Sequence, residues 1–263
     1  MPFPYLFIKD LDLRKYPYVD GDESYDIHNG FRGYLNADTA DETDGDNPKL
    51  DQITDNLEEI MEDCEGFDVF VTGHSLGGAL ATLYGLRLAE TKKFPVVNIL
   101  SYASPYVGTE GFRKVFRQAE LDGIVRHIRV SNTNDCIPAN PCIGGFSHVG
   151  VNLALRSSGP VMNYEGLEQP SLPAAFVVLL VAGASLLVNF LSLFIGFLSV
   201  LPTLPLPLSL LLAYSTVNIL LDNHGFEEYR KRLTTGVENT DFFTKTIEQL
   251  YEERLESIKT TGV

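Results

Sequence analysis

The sequence predicts an α/β fold, a mostly parallel sheet flanked by helices, joined to a transmembrane or re-entrant helical hairpin. Four observations carry this. Phe67-Asp68-Val69-Phe70-Val71-Thr72 is an apolar, β-branched run with the composition of a buried strand. Gly73-His74-Ser75-Leu76-Gly77-Gly78-Ala79-Leu80-Ala81 follows it, boxing a serine between glycines and opening a helix. A second apolar run, Val96 to Ala103, comes after that helix, so strand, helix and strand form a βαβ unit with parallel strands and a right-handed crossover. Between Glu168 and Asp222 no side chain is charged.

Composition narrows the function classes. At 263 residues the chain is long enough to bury a substantial core. Its formal net charge of -15 argues against a nucleic-acid partner and against electrostatic docking on anionic lipid, since both need basic patches. Much of the acid lies between Asp38 and Glu65. The loop from Asp38 to Pro48 lacks the calcium-loop pattern with its closing glutamate and reads as a solvated acidic loop. Three cysteines make no disulfide framework; Cys136 and Cys142 are spaced to pair in an oxidising lumen or to stay reduced elsewhere. The N-terminal Met1 to Lys9 has neither the basic region nor the apolar length of a signal peptide.

In chain order, Leu50, Ile53, Leu57, Ile60, Met61 and Cys64 form a helical stripe on an acidic segment, an amphipathic helix that feeds the strand at Phe67. The strand-to-helix turn at Ser75 is tight enough to require glycine on both sides of the serine, and Gly78 lets the helix pack close to the sheet. That helix continues from Leu80 to Glu90. Gly111 to Leu121 is the next helix and Ile124 to Val130 a third strand, ending in Ser131-Asn132-Thr133-Asn134-Asp135-Cys136-Ile137-Pro138. Ligand-facing residues of parallel sheets gather at the carboxyl ends of strands, so Asp135 shares an edge with Ser75. Phe146 to Leu155, carrying His148, is a fourth strand, and Asp241 to Ile258 a final amphipathic helix with Phe242, Phe243, Ile247, Leu250, Tyr251, Leu255 and Ile258 on one face.

The charge-free stretch is of a different kind. Ala174 to Leu201 would make a helix of roughly 42 Å, against a bilayer hydrocarbon core of about 30 Å. A helix apolar on every face and this long belongs in a membrane rather than a core. Leu208 to Leu221, after Pro202, Pro205 and Pro207, makes a shorter second limb, and the prolines suit a bend between the two.

A serine hydroxyl becomes a nucleophile when a histidine takes its proton, and a carboxylate holds that histidine in the right tautomer. On an elbow of this kind the order along the chain is serine, acid, histidine. Ser75 is the first and Asp135 the natural second. Of the five histidines only His148 and His224 come after Asp135. His148 sits in a strand-like run, whereas His224 opens a helix from a loop, where functional side chains reach across; His224 is therefore preferred.

Several blocks resemble, in order, the class 3 (fungal-type) lipase family: Ile27-His28-Asn29-Gly30-Phe31, the elbow Gly73 to Leu80, Asn98 to Gly108, Asn134-Asp135-Cys136-Ile137-Pro138, Phe146-Ser147-His148-Val149-Gly150, and Asn223-His224-Gly225-Phe226-Glu227-Glu228-Tyr229. The likeness runs from about Leu11 to Leu155 and again from Asp222 to Leu233. It implies an α/β-hydrolase fold, Ser75 as nucleophile, Asp135 as acid, His224 as base and the Leu76 backbone N–H as an oxyanion donor. It also implies a structural place for His148, and no metal or organic cofactor.

The family's Phe-Arg-Gly-Thr/Ser motif, which supplies a second oxyanion donor ahead of the His28 block, has no match here. Loss of such a donor costs about a hundred- to a thousandfold in turnover. The expectation is therefore an N-terminally truncated serine acyl-ester hydrolase acting on lipid esters such as acylglycerols at a membrane or lipid-droplet surface. The alternative is a weakly active or inactive lipase-fold membrane protein. Residues 1–168 would form the hydrolase core, 169–221 the membrane hairpin and 222–263 a helical segment returning His224 to the site. Because Ser75 and Asp135 precede the hairpin and His224 follows it, the chain must leave and return on one side of the bilayer. Arg230, Lys231 and Arg232 assign that side to the cytosol.

Overall fold

The computed structural model describes residues 15–20, 23–35, 49–62, 64, 67–141, 145–156, 159–163, 222–239 and 245–261. Strands β1 (Lys15–Asp20) and β2 (Glu23–His28) pair antiparallel and lead into helix α1 (Asn29–Leu35). Helix α2 (Lys49–Glu62) precedes strand β3 (Val69–His74), which runs through Ser75 into helix α3 (Leu76–Glu90). Strand β4 (Val97–Tyr102), the short β5 (Gly108–Thr109), helix α4 (Glu110–Leu121) and strand β6 (Val125–Asn132) follow. Then come β7 (Phe146–Ser147), β8 (Val151–Arg156), β9 (Gly159–Asn163) and helices α5 (Phe226–Asn239) and α6 (Ile247–Thr261).

The larger sheet has the order β3-β4-β6-β8-β9, parallel except for β9, as the βαβ reading requires. Its register is level: Val69 lies opposite Val97 and Val97 opposite Val125, so the carboxyl ends of β3, β4 and β6 finish side by side. That places the segments after His74 and after Asn132 at one edge. Alternation along the strands gives each face its own core. On one face Val97, Ile99 and Val125 meet Ala79, Leu86, Phe112 and Phe116 of α3 and α4. On the other, Ile128, Val130, Val151, Leu153 and Leu155 meet Tyr229 of α5 and Leu250 and Tyr251 of α6.

Helix α6 is further fixed by buried polar groups. Tyr251 Oη accepts from the His127 backbone N–H and lies 2.7 Å from the His127 carbonyl oxygen and 3.1 Å from Glu120 Oε1. Arg254 pairs with Glu120 at 3.2 Å, both side chains nearly enclosed. Burial raises the Glu120 carboxyl above its ordinary range against the pull of Arg254.

Three expectations change. The run at Phe67 has a buried composition, yet Phe67 is 71% and Phe70 58% exposed. The reason is position: among the described residues β3 takes an edge of the five-stranded sheet, and Phe67 falls before the strand begins. Phe146 to Leu155 is two strands, β7 pairing with β5 in a second sheet of order β1-β2-β5-β7 and β8 joining the larger one. The last helix begins at Ile247, two residues into the described segment 245–261, and Phe242 and Phe243 lie outside the described residues.

Among the described residues no helix is long and apolar enough to cross a membrane. The apolar runs at 174–201 and 208–221 and the acidic loop from Asp38 to Pro48 lie outside the described residues, as does Cys142.

Candidate active site

The serine is presented by strained backbone. Ser75 has φ 58°, ψ -126°, the left-handed region that a side chain normally avoids, and is held there by its N–H donating to the Tyr102 carbonyl at 2.9 Å. Its own carbonyl accepts the N–H groups of Gly78 and Ala79 at 2.9 and 3.2 Å, closing the first turn of α3. The two boxing glycines are not equivalent. A Cβ on Gly73 would sit 2.1 Å from the Gly77 carbonyl oxygen, whereas a Cβ on Gly77 would meet nothing within 4 Å. Glycine is thus demanded on the strand side of the serine and not on the helix side. A Cβ on Gly78 would come 3.0 Å from the Ser104 Cβ, consistent with close packing of the helix on the sheet.

Asp135 follows β6 on the same edge. Its side chain is 0% exposed, and its two oxygens accept three hydrogen bonds: Oδ1 from the Ile137 N–H at 2.9 Å, and Oδ2 from His224 Nδ1 and from the Tyr229 hydroxyl, each at 2.8 Å. A buried carboxylate is tolerated when its lone pairs are taken up in this way. His224 sits in a helical turn at 222–224, just ahead of α5. Ionised Asp135 only accepts, so the His224 proton is on Nδ1, and Nε2 is left to receive the Ser75 hydroxyl 2.8 Å away. Leu76, the first residue of α3, has an N–H without a partner in its own helix, directed where a helix N-terminus favours negative charge.

The structure brings Ser75, Asp135 and His224 together from positions separated by 149 and 89 residues. It does not bring His148, which donates Nε2–H to the Pro138 carbonyl at 2.7 Å and stacks on Tyr106 at 3.8 Å. Burial holds the His148 imidazole well below its ordinary value, as it does His127, whose Nε2 meets Ser101 Oγ at 2.9 Å. His28 is buried against Phe31. Cys136 is a free, buried thiol, pushed up to about 11 by burial and the neighbouring Asp135. No group of three or more His, Cys, Asp or Glu side chains fit to hold a metal occurs among the described residues.

Two side chains near the site lie beyond what chain order indicates. Tyr229 spans Asn132 and Asp135: its oxygen accepts the Asn132 backbone N–H at 3.0 Å while its proton goes to Asp135. Burial and the Asp135 charge raise its phenol well above the ordinary range, so it stays a donor. His74, beside the serine, donates Nε2–H to the His224 carbonyl oxygen at 2.8 Å, and burial followed by the His224 ring lowers its pKa. The signal available for Tyr229 was its place at the end of the histidine-to-tyrosine block; nothing in the sequence pointed to His74 as more than an elbow residue.

A family model described as Lipase (class 3) matches residues 5–144. Among curated proteins, the chain is 36% identical over 132 residues to phospholipase A1-II 4 of Oryza sativa subsp. japonica, covering 46% of this chain and 32% of that protein. It is 33% identical over 100 residues to the secreted mono- and diacylglycerol lipase A of Penicillium cyclopium, covering 38% of this chain and 31% of that one. The chain spans about a third of the length of these two relatives. Among solved structures it is similar to the Rhizomucor miehei triacylglyceride lipase, at 22% identity and a TM-score of 0.46, covering 57% of this chain and 52% of that one.

Proposed function

The chain belongs to the class 3 lipase family, and we propose that it is a serine acyl-ester hydrolase acting on lipid esters such as acylglycerols at a membrane or lipid-droplet surface. The observation that supports this most is the continuous line from Ser75 Oγ through the His224 ring to Asp135, 2.8 Å at each step. The family match ends before residue 224, so His224 as base rests on this geometry.

In the proposed reaction Ser75 Oγ attacks the ester carbonyl carbon as its proton passes to His224 Nε2. The imidazolium is stabilised by Asp135, itself held by the Ile137 N–H and Tyr229. The Leu76 N–H takes the oxyanion. Collapse expels the alcohol, which takes the proton from His224 Nε2 and leaves an acyl group on Ser75. Water, deprotonated by the same nitrogen, then releases the fatty acid. Names of relatives that carry phospholipase A1 and mono- and diacylglycerol lipase activity agree on the bond attacked, a carboxylic ester of glycerol, and differ in the rest of the lipid.

The same geometry supports the one-sided arrangement of the apolar segment. Asp135 precedes it and His224 follows it, yet the two side chains touch, so a segment that enters a bilayer must return on the side it left. We assign that side to the cytosol from Arg230, Lys231 and Arg232. Protease outside sealed microsomes is expected to cut within 222–263; full protection overturns that assignment.

A fluorophosphonate probe applied to the folded full chain in detergent tests the catalytic reading. Labelling at Ser75 is expected, abolished in S75A and slowed at least ~1,000-fold in H224A. A folded wild-type chain that stays unlabelled would instead be a catalytically weak or inactive lipase-fold protein.

A further inference from the structure

The base is carried by a short segment that contributes its side chain to two partners, and that segment is itself tethered through its main chain. His74 Nε2–H donates to the carbonyl oxygen of His224 at 2.8 Å. Asn132 Nδ2–H donates to the carbonyl oxygen of Asn223 at 2.9 Å. His74 adjoins Ser75 and ends β3; Asn132 ends β6, three residues before Asp135. The nucleophile strand and the acid strand therefore each extend one donor to a consecutive carbonyl of the base segment. Because a carbonyl only accepts, His74 must carry its proton on Nε2. Its ring is covered by Phe226 at 4.1 Å and lies 4.7 Å from the His224 ring.

We propose that His74 and Asn132 are positioning residues, a two-point carbonyl clamp that sets the main chain of the base from the two strands bearing its partners. The catalytic consequence rests on the hydrolase reading above. The physical need is plain: the two side-chain hydrogen bonds of His224 can both be straight only if its Cα is fixed, because only two side-chain torsions lie between Cα and ring. A displacement of about 1 Å at a reacting group costs on the order of a hundredfold in rate. Burial and the nearby His224 ring keep His74 neutral, so it adds no positive charge beside an imidazolium formed during turnover.

A merely packed His74 and a clamping His74 give opposite orders in two variants. His74→Phe keeps an aromatic ring against Phe226 and loses the donor; His74→Gln loses the ring and keeps an N–H at about the reach of Nε2. The clamp predicts that kcat on a soluble ester falls about 10- to 100-fold in H74F with KM changed less than about twofold, and that H74Q restores most of it. N132L, of similar volume without the donor, is expected to lower kcat in the same way. A second readout needs no turnover: in 15N-histidine-labelled protein, the His224 Nδ1 proton should exchange with water at least ~10-fold faster in H74F than in wild type or H74Q. H74F matching wild type in exchange, or H74Q proving worse than H74F, overturns the clamp. A wild-type chain that neither turns over nor labels overturns the hydrolase reading instead, and the exchange result still decides the clamp.

Discussion

At the scale of single residues, the site depends on who satisfies Asp135. Its carboxylate is enclosed, and Tyr229 supplies one of three donors while also taking the Asn132 N–H. Tyr229→Phe removes both at once. A hydrogen bond to a charged group is worth about 1.5 to 3 kcal/mol, so Y229F should slow fluorophosphonate labelling of Ser75 roughly 10- to 100-fold. An unchanged rate would show that the Ile137 N–H and His224 hold the carboxylate unaided. The elbow gives a sharper contrast. G73A drives a methyl into the Gly77 backbone and should unfold the elbow, seen as a lost or much lowered thermal midpoint. G77A places its methyl in open space inside α3 and should leave the midpoint unchanged or raise it, by about 0.5 to 1 kcal/mol in stability. The motif alone makes these glycines look alike, because spacing records which residues are present and not which atoms they face. Tyr229 was equally hard to assign a task, its partner lying 94 residues earlier in the chain.

Among the elements, helix α6 is docked by more than its apolar face. Glu120 of α4 holds Arg254, with Tyr251 beside it, across the buried gap between two helices. Glu120→Ala leaves a guanidinium without its carboxylate partner and should cost about 3 to 5 kcal/mol in urea unfolding, whereas Glu120→Gln, which keeps an acceptor, should cost less. Equal losses in the two variants would mean that volume and not polarity holds the helix. The parallel strands and the helices between them were legible because their hydrophobic periods are long and uninterrupted. The β1–β2 hairpin was not. Pro17 sits inside β1, where a proline reads as a strand breaker, and it is tolerated because β1, among the described residues, is an edge of its sheet, where fewer backbone donors are needed. Edge position also explains β3: a run of strand composition says that a segment will pair, and only the assembled sheet says that Phe70 is left facing out.

For the molecule as a whole, buried imidazoles set the response to acid. His127 and His148 are held well below the ordinary value of 6.5, by burial first and then by the charge of Arg129. Below about pH 6.5 the unfolded chain gains a proton at each while the folded chain does not, so stability falls as pH falls, by about 1.4 kcal/mol per pH unit for each histidine. Glu120 works in the opposite sense: its raised carboxyl contributes stability that is present below its ordinary range and lost as pH rises, which offsets part of the slope. The urea midpoint should therefore be lower at pH 5.5 than at pH 7.5; a flat or rising midpoint toward acid would show that these histidines take up protons in place. The triad was legible at this scale because chain order constrains it, while its tethers arise only when distant segments meet. That order has a consequence in time. Ser75 leaves the ribosome 149 residues ahead of His224, and at about 5 to 20 residues per second the interval is roughly 7 to 30 s. On the proposed reading, the nascent chain meanwhile displays a serine with no base to activate it, and the nucleophile stays silent until the segment that carries His224 has been made and has closed over the sheet.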